Sequence, residues 1–293
     1  MAITAAMVKE LRLRTGSGMM DCKRALTETN GDLEAAVELM RKSGAAKADK
    51  KASRVAADGR IMVAASDDQK TLVMVEINAE TDFVAKDGNF LDFANGVANT
   101  LLANKPTDIA TLLTLPLVGS NNSVEEARTA LITKIGENIQ VRRFQMITTN
   151  TGVIGQYQHG TRISVAVVLE GGDEALGKEI AMHIAASNPL CISEKDVPAD
   201  TLAKEKGILI AQAEGSGKPA KIVEKIVTGR LRKYLAGITL VGQPFIKDTD
   251  KTVGQLLKEA GAEIVSFTRL ELGEGIEKKQ EDFAAEVMAQ VKG

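Results

Sequence analysis

Tryptophan is absent from this sequence, aromatic residues of all kinds make up 3%, and cysteine occurs only at Cys22 and Cys191. Two tyrosines and seven phenylalanines leave little with which to stack nucleobases, so the core must be aliphatic. The cysteines are far apart and outside any CxxC spacing, which argues against a disulfide framework and fits a reducing compartment, the cytoplasm. Long apolar runs are lacking too: nothing approaches the roughly 20 residues a membrane helix needs. Residues 1–14 alternate apolar and charged positions, unlike a signal or transit peptide. Nor is there charge of one sign in excess. Lys and Arg number 37 against 39 Asp and Glu, a formal net charge of −2, so no overall basic field draws the chain onto a phosphate backbone and no direct nucleic-acid partner is expected.

The residues of common catalytic sites are equally sparse. His159 and His183 are the only histidines and neither has metal-ligand spacing to a cysteine or a second histidine, so neither metal nor cofactor is expected. Gly215-Ser216-Gly217-Lys218 resembles a phosphate loop, but Gln212 stands where that loop needs glycine and Pro219 where it needs Ser or Thr; a helix–helix turn is the better reading. Cys22 lies among methionines in a short helical segment, where packing is the commoner use of a thiol. The expectation is a protein that works by binding rather than an enzyme. A ribosome-associated RNA-binding protein is the rival, suggested by the basic stretch 42–54 and the Arg142-Arg143 pair.

What is present is alternation of helix and strand periodicity over 293 residues, enough for two or three modules. Residues 4–15, 19–29 and 32–44 read as three short helices, the third ending at Gly44. The Lys- and Ala-rich 42–54 then reads as a solvated linker, helical or flexible. Period-two runs at 60–65 and 71–77 predict a hairpin, followed by a helix over 89–103. A helix over 124–135, strands over 139–148, 152–158 and 162–169, and a helix over 173–187 come next, while 105–122 reads as loop. Residues 198–213 and 218–235 form a helical hairpin with a narrow, coiled-coil-like seam of Leu202, Leu209, Ala213, Ile222, Ile226 and Leu231. A helix over 252–260, a strand over 263–272 and a helix over 279–291 close the chain. The class is α+β with antiparallel sheets. The expected division is a three-helix domain and linker at 1–54, core halves at 55–148 and 149–278, the second carrying a protruding hairpin at about 198–235, and a C-terminal helix at 279–293.

Eight blocks, in order along nearly the whole chain, resemble the elongation factor Ts family. They are Val8-Lys9-Glu10-Leu11; Arg14-Thr15-Gly16-Ser17-Gly18-Met19-Met20-Asp21-Cys22-Lys23, with Ser17 where Ala is usual; Thr81-Asp82-Phe83-Val84-Ala85; Lys134-Ile135-Gly136-Glu137-Asn138-Ile139; Tyr157-Gln158-His159-Gly160; Gly242-Gln243-Pro244-Phe245; Thr252-Val253-Gly254-Gln255-Leu256-Leu257; and Gly273-Glu274-Gly275-Ile276-Glu277. The resemblance implies a guanine nucleotide exchange factor acting on the GTPase elongation factor Tu. It implies that Asp82 and Phe83, flanked by Thr81 and Val84, are the working tip, with Phe83 pressing between two helices of the partner. It also places His159 at a second contact, Met19, Met20 and Lys23 at the partner's nucleotide domain, and Ile135, Gly136 and Val253 in contact blocks.

The residues themselves leave these roles open. A lone Phe is more often buried than binding, a His in a tight turn is more often structural, and a three-helix bundle is expected to draw one of Met19 and Met20 inside. Ile135, Gly136 and Val253 each have an equally good packing use. The hairpin's outer face raises the prospect of pairing with a second copy.

Overall fold

Thr4 accepts from the Met7 N–H and opens α1 (Ala5–Thr15), which Gly16 ends in the left-handed region at φ 66°. α2 (Met19–Glu28) follows, then α3 (Leu33–Lys51), capped by the Asp32 side chain on the Ala35 N–H. Val8, Leu11, Cys22, Ala25, Leu26 and Ala36 interlock as the shared core of the three. This computed structural model describes residues 2–215 and 219–277. The helix expected over 279–291 and the turn residues 216–218 lie outside the described residues.

Contacts divide the chain into two units, one comprising Met1–Met62, Val75–Phe144 and Glu271–Gly293, the other Val63–Met74 and Gln145–Leu270. In sequence order, β1 (Asp58–Ala65) and β2 (Thr71–Ala79) lead to α4 (Gly88–Asn104), α5 (Ile109–Thr114), α6 (Val124–Ile135) and β3 (Ile139–Thr148). The sheet has the order β1-β2-β3. Every residue of β2 is buried, the pattern of a strand covered on both faces.

Two features here depart from the sequence reading. α3 does not stop at Gly44 but runs on to Lys51, with Gly44 and Ala48 buried. A Cβ at Gly44 would lie 3.1 Å from Thr133 Oγ1 of α6, so the glycine serves close helix approach rather than termination. The expected loop 105–122 contains α5, a six-residue helix begun by Asp108 accepting from the Thr111 N–H.

The second unit holds β4 (Val153–His159), β5 (Ile163–Glu170) and α7 (Glu174–Ser187), then α8 (Ala199–Glu214), α9 (Ala220–Ile238), the short pair β6 (Pro244–Phe245) and β7 (Asp248–Thr252), α10 (Val253–Glu259), and most of β8 (Glu263–Glu271). β4 and β5 pair antiparallel from Val153↔Leu169 to His159↔Ile163 in a sheet of order β4-β5-β8. Val165, Val167 and Leu169 of β5 meet Ile180 and Ile184 of α7, with Phe245, Val253 and Leu257 completing the core. α7 rides directly on β4 where two glycines meet: a Cβ on Gly155 would stand 2.2 Å from the Gly177 carbonyl carbon. α8 and α9 pack through Leu209, Ala213 and Val227, supported by Val223, Ile226 and Leu231, whereas Ile222, expected in the seam, is exposed. The class is α+β with antiparallel sheets, and no helix among the described residues is long and apolar enough to cross a membrane.

Candidate partner-binding site

At the end of β2 the chain turns through Glu80 to Asp87 before entering α4, and every side chain of the turn but one is bonded or buried. Glu80 accepts from the Asn138 N–H at 2.6 Å. The Thr81 N–H and hydroxyl both donate to the Glu137 carboxylate, at 3.0 and 2.8 Å, and the Val84 N–H donates to Thr81 Oγ1 at 3.4 Å. Val84 and Ala85 point inward in a single 3₁₀ turn, Val84–Lys86, and the Ala85 carbonyl accepts from Arg60 Nε at 2.7 Å. Asp87 then caps α4, whose Phe90 and Phe93 are buried.

Phe83 is held by its backbone alone, its carbonyl accepting from the Lys86 N–H at 3.1 Å, and 80% of the residue is exposed. The turn gives its interior places to Val84 and Ala85, so the ring is left in water, contrary to the packing that residue type alone favours. Beside it Lys86 Nζ bonds Asp82 Oδ2 at 2.6 Å and stands 6.0 Å from the Phe83 ring centroid. That bond holds the Asp82 carboxyl below its ordinary pKa, so the tip presents a carboxylate, an ammonium and an aromatic ring together. Ile135, half-buried, and Gly136, at φ 91°, end α6 immediately before the Glu137 that clamps the turn, and Lys51 Nζ bonds the Gly136 carbonyl. Thr81, Asp82, Phe83, Val84, Ile135 and Gly136 therefore belong to one braced locus.

At the N-terminal helices Met19 is 61% and Met20 75% exposed, which corrects the expectation that one lies inside: Cys22, Ala25 and Leu26 fill the core, and both methionines fall on the first turn of α2 facing water. Lys23 is exposed on the same helix. Leu13, 77% exposed near the end of α1, is a further apolar surface residue that the sequence reading missed. In the second unit His159 ends β4, exposed at the turn through Gly160 with Nδ1 3.2 Å from Tyr157 Oη, not the half-buried structural histidine favoured by its type. Val253 is fully buried in the core of that unit and shows no side chain to solvent. The sequence reading also missed Glu137 and Glu80 as braces, although Glu137 stood in a quoted block.

The groups considered for other chemistry are otherwise engaged. Arg142 Nη1 and Arg143 Nε bond the buried Glu76 carboxylate at 2.9 and 2.6 Å, and within 42–54 Lys42, Lys47, Lys51 and Arg54 each meet a carboxylate or carbonyl of the chain itself. Burial pushes the Cys191 thiol up, away from nucleophilic use, and Cys22 is buried beside Thr15 and the Ser17 carbonyl.

The model of the family described as Elongation factor TS matches residues 80–274. Elongation factor Ts of Thioalkalivibrio sulfidiphilus is 63% identical over 294 residues, covering 100% of both chains. That of Methylococcus capsulatus is 60% identical over 292 residues, 100% of this chain and 99% of its own, and that of Legionella pneumophila strain Paris 54% over 290 residues, 99% of each.

Proposed function

The chain belongs to the elongation factor Ts family, and on that premise we propose that it binds elongation factor Tu and accelerates release of GDP so that GTP can enter, acting by binding alone. The observation that carries the reading is Phe83, an aromatic ring held in solvent on a turn braced by Glu137 and Glu80. Such a ring gains most by entering an apolar crevice, and a preorganised tip spends little conformational entropy on doing so. Pressed between two helices of the partner's nucleotide domain, it shifts the loops that hold magnesium and phosphate. Asp82 and Lys86 flank it as polar contacts, while Thr81 and Val84 shape the tip.

Exchange by this route needs no acid or base and no cofactor of the chain's own. If the protein binds nucleotide-free partner more tightly than loaded partner by some factor, linkage weakens nucleotide affinity by the same factor, and about 3 kcal/mol of coupling gives roughly 150-fold. In this reading a three-helix N-terminal domain at 1–54 brings Met19, Met20 and Lys23 to the nucleotide domain, and the two core halves, 55–148 and 149–278, carry the tip, Ile135 and Gly136 on one and His159 and Val253 on the other. Val253 acts from within the core, by packing. The hairpin at 198–235 protrudes and pairs with a second copy through exposed Ile208 and Ile222, a C-terminal helix at 279–293 completes the chain, and the setting is the cytoplasm. The test is release of a fluorescent GDP analogue from purified elongation factor Tu: the chain accelerates it, and release no faster at saturating chain overturns the reading.

A further inference from the structure

The balanced total charge hides an uneven distribution. α9 carries Lys221, Lys225, Arg230, Arg232 and Lys233 against the single carboxylate Glu224, in a chain whose formal net charge is −2. At 100° per residue Lys221, Lys225, Thr228 and Arg232 fall in one stripe, opposite the face on which Val223 and Val227 pack toward α8. All four are exposed, and among the described residues Lys221, Lys225 and Arg232 have no ion pair. Between the cations Gly229 meets nothing within 4 Å of where its Cβ would be, and with Thr228 it leaves a shallow depression lined by Lys221, Glu224, Lys225 and Arg232. The stripe is about 16 Å long at 1.5 Å per residue.

We propose that this stripe of α9 is a docking surface for the phosphate backbone of structured RNA. A protein partner would call for an apolar or aromatic centre in the patch, and the stripe has none. Cations spaced along a helix beside a glycine suit phosphate oxygens, which need charge and close approach but no stacking platform, while the Thr228 hydroxyl is spent on the Glu224 carbonyl at 2.9 Å. Scarcity of aromatics therefore excludes base readout without excluding this mode, and the contact is independent of sequence. None of its residues is among those invoked for exchange.

The test is fluorescence anisotropy of a labelled RNA hairpin with the full chain across a salt series. Expected is binding at about 50 mM salt that weakens steeply as salt rises, and a Lys221→Gln/Lys225→Gln/Arg232→Gln variant, with its unfolding midpoint unchanged, that binds at least tenfold more weakly with a salt slope smaller by about 3. A parent that ignores the RNA at low salt, a variant that binds as the parent does, or a parent that prefers polyglutamate to RNA overturns the proposal. The assay contains no GTPase, so its outcome is separate from that of the exchange reading.

Discussion

Thr81 offers both its backbone N–H and its hydroxyl to the carboxylate of Glu137, at 3.0 and 2.8 Å, so the turn that presents Phe83 is fastened to the end of α6 at two points. Bonds to a charged acceptor are among the stronger ones, at about 1.5–3 kcal/mol, and leaving their donors unmet costs about 1–3 kcal/mol. Glu137→Ala is expected to lower stability by about 1–3 kcal/mol in urea unfolding and to slow stimulated GDP release, because Phe83 must then be ordered during docking. A release rate equal to the parent's would show that the bracing has no part in exchange.

Phe83→Ala separates binding from folding. The ring is exposed, so its removal is expected to change stability by no more than about 0.5 kcal/mol, as for other surface positions. A central aromatic anchor is worth about 2 kcal/mol or more at an interface, and stimulated release should fall by roughly 30-fold. A large drop in melting temperature would instead make the residue part of the core.

How far these features could be read beforehand depends on the range of the interaction responsible. The strands at Asp58–Ala65 and Thr71–Ala79 and the helix Val124–Ile135 follow from local period and capping, and sequence reasoning found them. The extension of α3 past Gly44 depends on the approach of Thr133, some ninety residues away, which no local pattern records. The pair β6 and β7 went unseen because its strands have two and five residues, too few to show a period. At the tip, motif resemblance pointed to Phe83, but its exposure rests on Val84 and Ala85 taking the interior places, and the partner of Thr81 lies 56 positions on. The methionines illustrate the converse: with Cys22, Ala25 and Leu26 already filling so small a core, neither Met19 nor Met20 is needed inside.

Glu76 is fully buried in β2 and receives Arg142, Arg143, Asn78 and the Gly273 N–H, the last at 2.8 Å. Desolvation pushes its pKa up, but the bonds from Gly273, Arg143, Arg142 and Asn78 outweigh it and hold the carboxyl below its ordinary 4.5. A depressed carboxyl contributes stability that is present above the unfolded value and lost as pH falls through the folded one. The parent is therefore expected to weaken below about pH 4.5 through this group. Glu76→Gln takes the buried carboxylate from Arg142 and Arg143, which keep their bonds to Glu274 and Glu271, and should cost about 1–3 kcal/mol at neutral pH and show a flatter acid limb in urea titrations. Parallel acid limbs would mean that Glu76 does not govern the transition.

His183 makes the opposite kind of pH argument, from a buried base. Its Nδ1 faces the Ile246 N–H at 3.3 Å and must accept, so the ring proton sits on Nε2 and is donated to Gln243 Oε1 at 3.0 Å, while Gln243 Nε2 donates in turn to the Gly237 carbonyl at 2.8 Å. Burial pushes the imidazole below its ordinary 6.5, and the bond to Gln243 offsets this only in part. Protonation would set a second N–H against that of Ile246 and bury a charge. Because the unfolded chain takes up this proton first, the stability contribution is intact above about pH 6.5 and is lost as pH falls from there toward the folded value. Urea midpoints at pH 7.5 and 5.5 should differ more for the parent than for His183→Phe. That variant should start lower, by about 1–3 kcal/mol for each of the two partners left unpaired. Equal differences between the two pH values would show that the histidine takes up its proton as readily in the folded chain as in the unfolded one, against the accepting role assigned to Nδ1.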